Sequence, residues 1–129
     1  MQFNQIKETC LYVKDLSATE KFYVEKLGLV CFAKSPGRHV FFRAGTSVLL
    51  CFNSEVTKTK TAVPPHYADG KQHLAFEVPR EDYDKRKEEI QSAGIMITHE
   101  QTWSNGFKSF YFDDPDGHVL EVVPEGMWG

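Results

Sequence analysis

KSFYFDDPDGHVLEVVP, residues Lys108–Pro124, holds two strand-like runs around a tight turn, Asp114-Pro115-Asp116-Gly117. Proline pre-sets one turn dihedral and glycine accepts the positive φ that closes it. Before the turn Ser109, Tyr111 and Asp113 alternate with Phe110 and Phe112; after it Val119, Glu121 and Val123 alternate with His118, Leu120 and Val122. Strand side chains point alternately to opposite faces. If Leu120 and Val122 cover a core, Glu121 looks the other way from the middle of a strand. A carboxylate there is either solvated or buried with a cation as partner.

Working outward, the same order of elements occurs twice. Glu8–Val13 reads as a half-buried strand, and Ser17-x-x-Glu20 as the capping box of a helix that ends at Gly28. Leu29–Ala33, His39–Arg43 and Ser47–Phe52 are short strand candidates, separated by Pro36-Gly37 and Gly45. Asn53–Gly70, with Pro64-Pro65 and Asp69-Gly70, reads as a surface linker. His73–Val78 is then a strand, and Glu81-Asp82-Tyr83 begins a helix stopped by Gly94. Ile95–Thr98 is a strand, Trp103–Gly106 a loop, and the opening hairpin completes the unit. Glu8 maps onto His73 and Val13 onto Val78 at one offset, and Gly28 onto Gly94 one residue later. The fold class is therefore α+β: two βαβββ modules packed into a curved mixed sheet enclosing a concave cup. The modules span 4–53 and 71–124, joined by a linker over 54–70, in a single domain. Trp128, in the tail, needs a site to bury in.

Composition sets bounds on function. The chain has 129 residues, 41% hydrophobic and 26% charged, in the range of an ordinary globular protein. A net charge of −3 gives no reason to expect nucleic acid or an acidic membrane as partner. No apolar run is long enough to span a bilayer, and the first residues, MQFNQIKE, carry no signal-peptide core. Cys10, Cys31 and Cys51 are odd in number and lack C-x-x-C spacing, which fits reduced thiols in a cytoplasmic setting.

On the first strand of each module, Leu11 and Val13, or Phe76 and Val78, should cover the helices. The opposite face then shows Glu8, Cys10 and Tyr12 in the first module and His73, Ala75 and Glu77 in the second. With Glu121 added from the last strand, two carboxylates and one imidazole converge into a site for a divalent metal with positions left for substrate. Arg38, Trp103 and Lys108 sit in or beside loops that could rim the cup. His118 should face away from it. Alone, each of Glu8 and His73 has an ordinary reading, as a solvated strand acid and a structural histidine. Their equivalence in the repeat favours the metal.

These motifs resemble the vicinal oxygen chelate superfamily of glyoxalase I, extradiol dioxygenases, fosfomycin-resistance transferases and bleomycin-resistance proteins. The resemblance rests on Tyr12-Val13-x-Asp15-Leu16, Phe22-Tyr23, Leu27-Gly28-Leu29, His73-x-x-Phe76-x-Val78, and Phe110-Tyr111-Phe112-x-Asp114-Pro115-Asp116-Gly117-x-x-x-Glu121. It implies Glu8, His73 and Glu121 as ligands of one divalent ion (Mn, Zn, Ni, Mg or Fe), with Glu8 or Glu121 as general base. It implies Ser109 and Tyr111 as substrate contacts, beside Cys10, Arg38 and Trp103. The implied activity is lyase or isomerase chemistry on a small oxygenated metabolite, the ion serving as Lewis acid. The alternative is a metal-free bleomycin-resistance-like binding protein with an aromatic cup. Glu8 where dioxygenases carry His, and Leu49 or Leu50 where glyoxalase I has a fourth ligand, depart from the family pattern. Fosfomycin transfer is disfavoured by the short segment after Glu121, and nothing in the residues specifies glutathione. The resemblance also implies a homodimer.

Overall fold

The computed structural model describes residues 1–59 and 62–129. The chain divides into two compact units, Met1–Gly70 and Lys71–Gly129.

In the first unit, β1 (Glu8–Val13) leads into α1 (Leu16–Lys21), which widens into a π-helical turn over Phe22–Lys26. The strands β2 (Val30–Ser35), β3 (His39–Ala44) and β4 (Ser47–Asn53) follow, and α2 (Ser54–Thr57) is a single turn after them. The sheet order is β1-β4-β3-β2, with β1 parallel to β4 and the other pairs antiparallel. Alternation sorts the faces. Leu11, Val13, Val40, Phe42, Leu49 and Cys51 are buried together with Phe22 and Tyr23 of the helix. The Tyr23 ring lies 5.3 Å from that of Phe42.

The second unit repeats the plan. It runs through β5 (His73–Val78), a 3-10 turn (Arg80–Asp82), α3 (Tyr83–Ser92), β6 (His99–Thr102), β7 (Lys108–Asp113) and β8 (Val119–Pro124). Its order is β5-β8-β7-β6, with β5 parallel to β8. Phe110, Phe112, Leu120 and Val122 are buried on the face covered by Tyr83 and Ile90. The turn at 114–117 is tied by the Asp114 carboxylate, whose Oδ1 accepts from the backbone N–H of Asp116 and of His118 at 2.9 Å each. Gly117 closes it at φ 79°.

Four local expectations are corrected. The cap of α1 is Asp15, whose carboxylate accepts from the Ala18 N–H, because Ser17 already lies within the first turn. The expected linker starts with the short helix α2, capped by the Asn53 side chain. The sixth strand is the polar His99–Thr102 rather than Ile95–Thr98, since an edge strand is set by what it can pair with, here Tyr111 to Lys108. Trp128 stays 78% exposed, and the tail is anchored by Met127 at 6%.

Candidate active site

In the second unit the parallel pairing sets Ala75 beside Glu121, and the antiparallel pairing sets Tyr111 on the other side of it. His73 is two residues before Ala75 and shares its face. Its Nε2 stands 4.0 Å from Glu121 Oε2. His73 Nδ1 is 2.7 Å from the Val119 carbonyl oxygen. A carbonyl only accepts, so Nδ1 carries a proton, and in the neutral ring Nε2 is the lone-pair nitrogen on the side of the carboxylate.

Glu121 is 4% exposed, so its charge needs partners. The Ser109 hydroxyl donates to Oε1 at 3.3 Å, and the Trp103 indole N–H donates to Ser109 Oγ at 3.0 Å. A three-member chain thus runs from the Trp103–Gly106 loop to the acid. Burial, then a hydrogen bond to Glu121, pushes the Tyr111 phenol above its ordinary pKa. The Tyr111 ring stacks against His73 at 6.2 Å.

An anchored imidazole and a buried carboxylate, facing each other across 4.0 Å, suit a divalent ion. Two ligands sharing one tetrahedral ion at about 2.0–2.1 Å stand roughly 3.4 Å apart, so a small side-chain adjustment brings both into range. The carbonyl that fixes Nδ1 is the kind of support metal-binding histidines use. Among the described residues no group of three or more His, Cys, Asp and Glu side chains is gathered to hold a metal. The second unit supplies two donors of the three expected.

Glu8 and Cys10 belong to the first unit. Glu8 is exposed at the start of β1, on the face opposite Leu11 and Val13. Burial, then the Glu8 charge, raises the Cys10 thiol above its ordinary pKa. A thiol held protonated is a packing and contact group rather than a nucleophile. Arg38 sits at the turn before β3, where its Nη1 meets His39 Nδ1 at 3.0 Å. Burial, then the Arg38 charge, holds His39 below its usual pKa, so it is neutral and accepts from Arg38.

Three placements differ from the sequence reading or lie beyond it. Lys108 turns to the helix side, where with Arg80, Tyr83 and Phe107 it lines a cleft of about 530 Å³ that Glu121 does not line. His118 is buried at 1% and its Nδ1 accepts from the Gln72 N–H, a structural use. His66, from the segment after α2, reaches back to the Tyr12 hydroxyl at 2.7 Å and packs on Phe52 at 4.8 Å. No sequence signal pairs residues 54 positions apart.

The Glyoxalase/Bleomycin resistance protein/Dioxygenase superfamily model matches residues 5–122. The chain is 35% identical over 112 residues to the glutathione transferase FosA of Serratia marcescens, covering 87% of this chain and 74% of that one. It is 27% identical to the metallothiol transferase FosB of Bacillus licheniformis, over 85% of this chain and 68% of the relative. Among solved structures, the lactoylglutathione lyase of Agrobacterium tumefaciens superposes with a TM-score of 0.93 at 35% identity, covering 99% and 98% of the two chains.

Proposed function

Because the chain belongs to the glyoxalase/bleomycin resistance protein/dioxygenase superfamily, we propose that it is a divalent-metal-dependent lyase or isomerase acting on a small oxygenated molecule. The observation that carries this reading is the His73–Glu121 pair, with Nδ1 of the histidine committed to Val119 and Nε2 free to ligate. Glu8, at the equivalent strand position of the first module, is the third ligand. The bound ion supplies Lewis acidity toward substrate oxygens.

The remaining work falls to side chains. Ser109, backed by Trp103, fixes the Glu121 carboxylate through Oε1, and Oε2 lies on the side of His73. Glu8 or Glu121 serves as general base, taking a proton from the carbon beside the oxygenated group. Tyr111, kept protonated, can donate to a developing negative charge on substrate. Cys10, Arg38 and Trp103 contact the substrate. The protein works as a homodimer in the cytoplasm.

The test is elemental analysis of protein purified without chelator or affinity metal, for wild type and His73→Ala. About one metal per chain, lost in the variant, supports the reading and directs a screen of hemithioacetals, epoxides and catechols. No metal, with thermal stability unmoved by Mn²⁺, Ni²⁺, Zn²⁺ or Fe²⁺, overturns it in favour of a metal-free binding protein.

A second reading is favoured by the 35% match to the glutathione transferase FosA: transfer of glutathione to a small substrate. The same screen, run with added glutathione, separates the two, since transfer consumes glutathione with the acceptor and isomerisation consumes no second substrate.

A further inference from the structure

The face of the first sheet that turns away from α1 is ordered in three rows. Register sets Glu8, Val48 and Arg43 in one row, Cys10, Leu50 and Phe41 in the next, and Tyr12, Phe52 and His39 in the third. Arg38 lies just beyond the third row. The two rows nearest Arg38 form an aromatic floor. His39 stacks flat on Phe41 at 4.0 Å and 11°. Phe41 meets Phe52 edge-on at 5.4 Å, Tyr12 stacks on Phe52 at 6.3 Å, and His66 stands against Phe52 as a wall. Only Phe52 among these is fully covered; Tyr12, His39, Phe41 and His66 keep part of their surface open.

Two guanidinium groups lie over rings of this face. Arg38 sits over Phe52 at 5.8 Å and Arg43 over Phe32 at 4.4 Å. Neither makes an ion pair with a carboxylate among the described residues. Arg38 is the better placed of the two. It is half-buried and its donor geometry is fixed by neutral His39. Its backbone is held to β4, because the Asn53 N–H donates to the Arg38 carbonyl at 2.8 Å. It also stands at the end of the face away from Glu8, so an anion bound there avoids that carboxylate.

We infer that this face binds an aryl carboxylate, its ring on the Phe41–Phe52 floor and its carboxylate on Arg38, with the reacting oxygens directed toward Glu8. The orientation follows from the rows. Glu8 and Tyr12 are four strand residues apart, about 13 Å, the span of one or two fused rings carrying a short oxygenated group. Rings favour offset or edge-on contact with such a floor, and a guanidinium binds a carboxylate through two parallel N–H donors. This inference names the substrate class for the enzymatic reading above and rests on it for the reacting end. The anchoring end depends only on the first unit's own residues.

The test is isothermal titration of the full chain, as purified and again in EDTA, with 2-naphthoate, neutral 2-naphthalenemethanol and non-aromatic cyclohexanecarboxylate. The expected result is saturable binding of 2-naphthoate, equal with and without EDTA, and at least tenfold weaker binding of the other two. Arg38→Gln should weaken 2-naphthoate about tenfold or more, as loss of a charged hydrogen-bonding partner does. Arg38→Lys should retain part of the affinity. Phe41→Leu should cost about three- to tenfold. Circular dichroism of each variant identifies any that misfolds, and the three-ligand comparison on wild type stands without them. Equal binding of all three probes, no binding of 2-naphthoate, or affinity untouched by both Arg38→Gln and Phe41→Leu overturns the inference. Binding that vanishes in EDTA overturns the anchoring role of Arg38. Elemental analysis separately reports on the metal reading, so either can fail without the other.

Discussion

His73 and Glu121 face each other at 4.0 Å from neighbouring parallel strands, and each is held from behind: the imidazole by the Val119 carbonyl, the carboxylate by Ser109. Both side chains are therefore set before any third group arrives. A divalent ion that binds the native chain should stabilise it by mass action, by about 2.7 kcal/mol when the free ion exceeds its Kd a hundredfold. Thermal melts with and without Mn²⁺ or Zn²⁺ should show this rise for wild type and lose it for His73→Ala and Glu121→Gln.

Ser109 links an indole to an acid. Ser109→Ala leaves the Trp103 N–H and one oxygen of the buried Glu121 without that link. The expected cost is about 1–3 kcal/mol in denaturant unfolding, together with a change in tryptophan emission. Ser109→Thr, which keeps the hydroxyl, should recover part of the stability. Unchanged unfolding and emission in the alanine variant would falsify the link.

Glu100 gives the acid limb of stability a defined contributor. Burial works to raise its carboxyl, but hydrogen bonds from Lys87 and Tyr83 outweigh this and hold it below 4.5. The folded state therefore binds its proton less readily than the unfolded chain does. Its contribution is present above pH 4.5 and is lost as pH falls through the lower folded value. Glu100→Gln should flatten the stability profile below that pH and leave its slope near neutrality unchanged.

The turn at 114–117 offers a purely conformational test. A Cβ on Gly117 would come no nearer than 3.9 Å to the Lys71 side chain, which is ordinary contact. With φ at 79°, Gly117→Ala should nevertheless cost about 1–2 kcal/mol, all of it from the left-handed backbone. A melt shifted by several degrees, with the same metal uptake, is the expected outcome.

Much of this was legible in the sequence, and the reason is periodicity. Leu120 and Val122 alternating with Glu121 set the acid on the face away from the buried core, and the offset between Glu8 and His73 exposes the duplication. What stayed hidden depended on contacts between distant residues. Nothing in His66 announces that it bonds to Tyr12, and Trp103 looked like a loop aromatic rather than the far end of a chain to Glu121. Ile95–Thr98 has a strand's composition, yet the strand begins four residues later, because Thr98 N–H and His99 are where Tyr111 offers a partner. Asp15 displaced Ser17 as the cap because cap choice depends on where the first turn begins.

In each unit the first strand is zipped to the last, Glu8 to Val48 and His73 to Val119, with everything else of the module made in between. During synthesis at about 5–20 residues per second, β1 therefore waits some seconds for the β4 strand it pairs with, with one apolar face and both backbone edges uncovered. Closing so long a loop first is costly, so the β2–β3–β4 meander should form early and β1 dock onto its open edge. The nascent chain passes through this window twice, and that interval is when a chaperone or a second ribosome's product would find it most adhesive.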